Sequence, residues 1–346
     1  MPKILRISVV LCGFCWGASL SHAQVPPAAL PEAGRSRVVM VKNPGAIVAF
    51  QPQPDLVKSM VERGVMQLSG KTDPASAWRA YVSTQEIVGI KVYSGPGGNS
   101  GTRPAVAGAV VEGLLAAGLA PQHIIVWDKR KSDLLLAGYA DLAQRYGVRL
   151  EGASDEGYDP NVFYDNPVAG NLVAGDYEFD LSQKKTGRKS YVSKLLTKEI
   201  TRLIVISPLL NHNYAGICGI LYSLSLGSVD NTLRFLQDPS RLATAVPEIY
   251  ALPALSDHVA LCMIDALIGQ YQGEDMSLLH YSAEVNQIWL SRDPVALDAW
   301  GVQELDRERL AANIHTVGQN PELLSNAALL ELGASDLSKV QVEVVK

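Results

Sequence analysis

Asp128, His212, Asp265 and Asp293 each stand at or just beyond the carboxyl end of a short apolar run rich in Ile and Val. If those runs are parallel strands of one sheet, the four groups rise together at one edge. Two or three carboxylates and an imidazole in one place can hold a divalent cation or share a proton as acid and base. His212 and Asp265 are therefore the candidate catalytic pair, Asn213 beside the imidazole is a candidate ligand-binding residue, and Asp128, Asp265 and Asp293 are the candidate metal ligands. Each also has a plain structural reading. Asp293-Pro294 has the form of a helix cap followed by a first-turn proline, Asp128 before Lys129-Arg130-Lys131 can be a solvated side chain, and a lone histidine can be a satisfied core residue.

The stretch Ser94-Gly95-Pro96-Gly97-Gly98-Asn99-Ser100-Gly101-Thr102-Arg103 follows another apolar run and leads into a helical pattern. Glycines let backbone amides turn toward an anion, and a helix amino terminus adds partial positive charge, so a phosphate or carboxylate can be held there. Gly95, Gly97, Gly98, Thr102 and Arg103 are the candidate anion-binding residues. Lys91 joins them, because an ammonium inside an apolar run needs a partner such as a neighbouring strand-end Asp. The loop has no Walker lysine, and Ser100 stands where a dinucleotide fingerprint places its third glycine. A purely structural loop is the alternative. With no Gly-x-Ser-x-Gly elbow, serine-based hydrolysis finds no support.

The elements that must position these groups are short. Ile87 to Tyr93, His123 to Asp128, Arg202 to Ser207, His258 to Asp265 and Asn286 to Ser291 have the length and the Gly, Pro, Asp or Asn boundaries of strands buried on both faces. Helical patterns fall at Pro104 to Leu119, Ser132 to Tyr146, Tyr191 to Glu199 and Asp293 to Arg309. This alternation predicts an α/β fold with a largely parallel, doubly wound sheet, in which ligands bind at the carboxyl edge. The segment 152–189, rich in Asp, Asn, Gly and Tyr, interrupts the rhythm and reads as an inserted hairpin or lid. The runs follow one another without a linker, so the expected organisation is one domain over 37–346.

Lys3 and Arg6, the apolar run Ile7 to Leu20 and Ser21-His22-Ala23 have the three parts of a secretory signal, with cleavage after Ala23. The run is too short and too interrupted for an anchor, so a periplasmic or secreted protein with no membrane span is expected. Residues 24–36, with three prolines, read as a flexible lead-in. Taking Lys3 and Arg6 from the 30 basic residues leaves 28 against 35 acidic, a formal charge of −7. That balance disfavours nucleic acid and anionic membranes as partners. The basic cluster Lys184-Lys185-Thr186-Gly187-Arg188-Lys189 reads as a solvated turn. Cys12 and Cys15 fall in the signal. Cys218 and Cys262 can form one disulfide in an oxidising compartment or stay as two buried thiols.

Taken in order, Val88-Gly89-Ile90-Lys91, Thr102-Arg103-Pro104, Ile204 to His212, Gly227-Ser228-Val229-Asp230-Asn231 and Ser291-Arg292-Asp293-Pro294-Val295-Ala296-Leu297-Asp298-Ala299 resemble the domain of unknown function 362 family. The resemblance implies an α/β fold and no settled activity. Lys91, His212, Asn231, Asp265, Asp293 and Asp298 match family positions, which adds Asn231 to the candidate ligand-binding residues. Some members carry a ferredoxin-like cysteine segment for an iron–sulfur cluster. This chain has none, so no such cluster is expected. It also departs at Asn211, where relatives tend to place a lysine, and at Tyr222-Ser223, where they tend toward Lys-Asn. The expectation is an exported protein that binds a small anionic ligand, with a divalent metal as a further option, at the carboxyl edge. Whether the ligand is turned over stays open. The competing expectation is a non-catalytic interaction or assembly protein of the cell envelope.

Overall fold

The computed structural model describes residues 36–166, 189–236, 238–314 and 321–346. The expected signal, nearly all of the lead-in, the middle of the 152–189 segment and Lys184 to Arg188 lie outside the described residues. Eight strands of one sheet organise the rest: Ser36–Lys42 (β1), Val88–Val92 (β2), Ile124–Asp128 (β3), Arg149–Gly152 (β4), and, after a separate hairpin of Tyr158–Asp165 (β5) and Lys189–Ser193 (β6), Arg202–His212 (β7), Val259–Gln270 (β8), Ser282–Ser291 (β9) and Val340–Val345 (β10). Their spatial order is β10-β1-β9-β8-β7-β2-β3-β4. β2 and β3 are buried at every position. Val and Ile pack on both sides of such strands, each fully buried side chain contributing about 1.5–3 kcal/mol.

The expected parallel character holds, with one exception that matters for the site. β8, β7, β2, β3 and β4 are mutually parallel, whereas β9 runs antiparallel to both β8 and β1. Gln270 pairs with Ser282 and Cys262 with Ser291, so β9 carries the chain back to the amino edge of the sheet. Arg292-Asp293 therefore emerges opposite the other strand-end groups.

Helices cover both faces. Pro54–Ser69 (α1), Pro104–Ala116 (α2), Lys131–Leu136 (α3) and Tyr139–Tyr146 (α4) belong to one side, where Val61, Val110, Leu114 and Leu142 meet Ile90, Val126 and Ile204. Ile220–Ser228 (α5), Pro239–Tyr250 (α6), Pro294–Ala311 (α7) and Pro321–Leu329 (α8) cover the other, where Leu221, Val246, Leu297 and Leu323 meet Trp127, Val205 and Ile264. Two expected helices differ. Ser132 to Tyr146 is divided at Gly138, whose φ of +88° is left-handed and ends α3. Tyr191 to Glu199 is a strand end followed by the single turn Leu195–Glu199: Ser190 and Val192 are buried, Tyr191 is half-buried, and β6 pairs with β5. The flanks of the expected insertion thus form a hairpin. No helix among the described residues is long and apolar enough to cross a membrane.

Candidate functional site

β2 leads to β3 on one flank, while β7 enters on its other flank and carries the chain away toward β8. The connections after β2 and β7 consequently leave on opposite faces, α2 on one and α5 on the other. Their carboxyl ends diverge, which opens a crevice at the point where strand order reverses. A cavity of about 350 Å³ lies there. Tyr93 and Gly95 after β2, Asp128 to Arg130 and Asp133 after β3, Tyr222, Ser223 and Gly227 on α5, Thr232 just beyond α5, and Asp275 after β8 line it.

The floor is a closed polar network. Lys91 is completely buried, and its Nζ lies 2.8 Å from Asp128 Oδ1, 2.7 Å from the Val92 carbonyl and 3.1 Å from Ser223 Oγ. Asp128 accepts from the Ser94 amide and hydroxyl, both at 2.7 Å, and from the Lys129 amide at 2.7 Å. Burial pulls the Lys91 pKa below the ordinary lysine range, with Asp128 opposing it. The close approach needs Gly227, since a Cβ there would stand 2.9 Å from Lys91 Nζ. Lys91 therefore has no donor to spare for a ligand anion. Two further cations sit higher: Arg130 is exposed at the rim, and Lys129 is half-buried, its Nζ donating to Thr232 Oγ1 at 3.0 Å. Burial and the Asp128 charge push the Asp133 carboxyl up.

The opposite wall is aromatic. Tyr93 Oη donates to Asp275 Oδ1 at 2.6 Å, and its ring meets that of Tyr222 edge-on at 6.3 Å. Burial drives both phenol pKa values well above the usual range. Behind Tyr222, at 4.4 Å between ring centres, is His212. Its Nδ1 accepts from the Tyr214 amide at 3.1 Å and the Ala215 amide at 3.0 Å, so the neutral ring carries its proton on Nε2. Burial depresses its pKa. His212 is thus a neutral group that supports Tyr222 and does not itself line the cavity.

The other expected residues are placed elsewhere. Asp265 is fully buried, with Oδ1 2.9 Å from Arg103 Nη1 and Oδ2 accepting the Arg103 amide at 2.9 Å, and Arg103 Nη2 also reaches the Asn99 carbonyl at 2.9 Å. Thr102 Oγ1 donates to the Ile206 carbonyl at 2.8 Å. Together they pin the glycine loop to β7 and β8. Of the loop glycines only Gly95 reaches the cavity; Gly97, with φ +80°, and Gly98 shape the turn behind it. The Asn213 amide is bound to Glu274 at 2.8 Å. Asn231, at φ +48°, donates to the Lys189 carbonyl at 2.9 Å and anchors the hairpin. Asp293 caps α7 by accepting from Ala296 at 2.8 Å, as its structural reading has it, and also accepts from Ala334 at 2.9 Å. The three proposed metal ligands do not meet: Asp128 is bound to Lys91, Asp265 to Arg103, and Asp293 is on the opposite edge. Among the described residues no group of three His, Cys, Asp or Glu side chains is placed to hold a metal ion. Cys218 and Cys262 are both buried and free.

Tyr93, Lys129, Arg130, Tyr222, Ser223, Thr232 and Asp275 were not singled out by sequence as ligand residues. The signals available were weak: Lys129-Arg130 directly after a strand, and Tyr222-Ser223 as a departure from the family pattern. The model of the domain of unknown function family DUF362 matches residues 88–303, well over half of the chain and all of the elements that build the cleft. The chain belongs to that family. No curated protein matches this DUF362 chain. Among solved structures it is similar to a protein from Thermotoga maritima, at 12% identity and a TM-score of 0.40, over 78% of this chain and 61% of that one. The DUF362 chain thus spans less than two thirds of that protein.

Proposed function

We propose that this protein is exported, with cleavage after Ala23, and binds a small ligand carrying an anionic group in the cleft at the carboxyl ends of β2 and β3. The observation that carries the binding reading is the position of Lys129 and Arg130 on the wall of a cavity at the strand-order reversal, above a floor where Lys91 and Asp128 satisfy each other. An anion entering there meets the Lys129 and Arg130 charges above the Lys91–Asp128 pair. Oriented polar groups, Thr232 Oγ1 on one wall and the Tyr93–Asp275 pair on the other, suit a ligand with a second hydrogen-bonding group.

Calorimetric titration with inorganic phosphate and with citrate tests the reading. The unmodified protein is expected to bind at least one of them saturably. Arg130→Glu, an exposed change that leaves the core intact, is expected to weaken binding about tenfold, the worth of one charged hydrogen bond. Equal affinity in the variant, or no binding of either anion, contradicts it. For export, the intact mass of protein recovered from the periplasm is expected to begin at Gln24; a chain retained in the cytoplasm with Met1 intact contradicts it.

A further inference from the structure

Anion binding leaves one arrangement in the cleft unused, the contact between Ser223 and the buried Lys91 amine. We propose that Ser223 is a nucleophile activated by Lys91, and that the cleft transfers the acyl group of an ester or amide bearing an anionic substituent, an inference that rests on the cleft being the ligand site. Of the three partners of Lys91 Nζ, the Val92 carbonyl at 2.7 Å and Asp128 Oδ1 at 2.8 Å accept, while Ser223 Oγ at 3.1 Å can accept or donate. An ammonium satisfies all three by donating three times. A neutral amine satisfies them equally, giving its two hydrogens to the acceptors and its lone pair to the Ser223 proton. One geometry thus holds both protonation states, which is what a general base beside a nucleophile requires.

Its surroundings ease loss of the ammonium proton. Burial lowers the Lys91 pKa and the nearby Lys129 charge adds to this, while Asp128 limits the shift and matches the ammonium once a proton arrives. Ser223 and Gly227, one turn apart on α5, both face the cavity, and the missing Cβ of Gly227 makes room for the amine. In the acylation step Ser223 Oγ bonds to the acyl carbon and its proton passes to Lys91 Nζ. The leaving alcohol or amine departs with that proton as its bond to carbon breaks. Water repeats the sequence on the acyl-serine and restores the hydroxyl. The serine sits within a helix and not on a strand-to-helix elbow, which is why the elbow pattern does not find it. Serine–lysine pairs are an established variant of nucleophile and base.

A fluorophosphonate probe tests this on the full chain: Ser223 Oγ bonds to phosphorus, fluoride leaves, and the proton goes to Lys91. One adduct is expected, on the peptide containing Ser223, and phosphate is expected to slow its formation. Lys91→Met is expected to label about 10²-fold more slowly, and Ser223→Ala not at all. Because Lys91→Met also removes a buried partner, the adduct site in the unmodified protein is the deciding readout. No adduct, or an adduct on another serine such as Ser94, overturns the proposal. If phosphate binds by calorimetry yet no adduct forms, only the nucleophile falls. If Ser223 labels but no anion binds, the nucleophile stands and the anion reading falls.

Discussion

Removing the carboxylate of Asp265 leaves the Arg103 guanidinium buried beside two carbonyls with no counter-charge. Breaking a buried pair from one side costs about 3–5 kcal/mol, so Asp265→Ala is expected to lower unfolding stability in urea by that amount. A variant of unchanged stability contradicts the structural role assigned here. At His212 the depressed pKa gives a sign. The unfolded chain takes up a proton near pH 6.5 while the folded imidazole resists it, so the stabilisation is complete above that pH and is lost as pH falls below it. In an NMR titration the His212 ring is expected to take up its second proton at a lower pH than a model-peptide histidine and, when neutral, to carry its proton on Nε2; an upward shift, or the proton on Nδ1, contradicts this. Sequence marked Lys91 as a charge inside an apolar run that needs a partner such as a strand-end Asp, placed Asp128 and Asp265 at strand ends, and placed Arg103 in the glycine loop. It could not pair them, because the choice of Asp128 for Lys91 and Asp265 for Arg103 depends on which strands are neighbours.

Strand direction was the main illegible feature among the elements. The end of β9, Ile288-Trp289-Leu290, is a short buried apolar run like those of its parallel neighbours, and such a run carries no direction. A usable signal exists in the connection: 271–281 holds only one short turn, Leu279–Tyr281, whereas a parallel return needs a crossover of about a dozen residues or more, usually a helix. α5 escaped notice because it is buried at every position and so shows no amphipathic period. Its amino terminus is capped from another element, with Asp298 of α7 accepting from the Ile220 amide at 2.7 Å and the Leu221 amide at 2.9 Å. Burial raises the Asp298 pKa to about 7. The folded protein then holds a proton there that the unfolded chain, with an ordinary Asp near pH 3.9, releases. Stability is therefore expected to fall as pH rises from about 4 to about 7, and Asp298→Asn to flatten that slope. An unchanged slope in the variant contradicts the raised pKa.

The α/β class and the parallel core were legible for the molecule as a whole, because repeated strand–helix alternation leaves few other ways to bury those runs. The cavity's own residues were not, because Tyr93, Lys129, Tyr222 and Asp275 converge only through the strand-order reversal at β2 and β7. The sequence left the state of the two core cysteines open; as free buried thiols, Cys218 and Cys262 are expected to resist iodoacetamide in the native protein and to react in denaturant, and a disulfide-linked peptide contradicts this. A second basic depression, with Arg37, Arg63 and Lys71 near the end of α1, offers the natural competitor for any anion. Hydrogen exchange with and without saturating phosphate separates the two places directly. The account predicts slowed exchange confined to the segments around 93–95, 128–133 and 222–236. Protection appearing instead around 63–72, with the cleft segments unchanged, would contradict it.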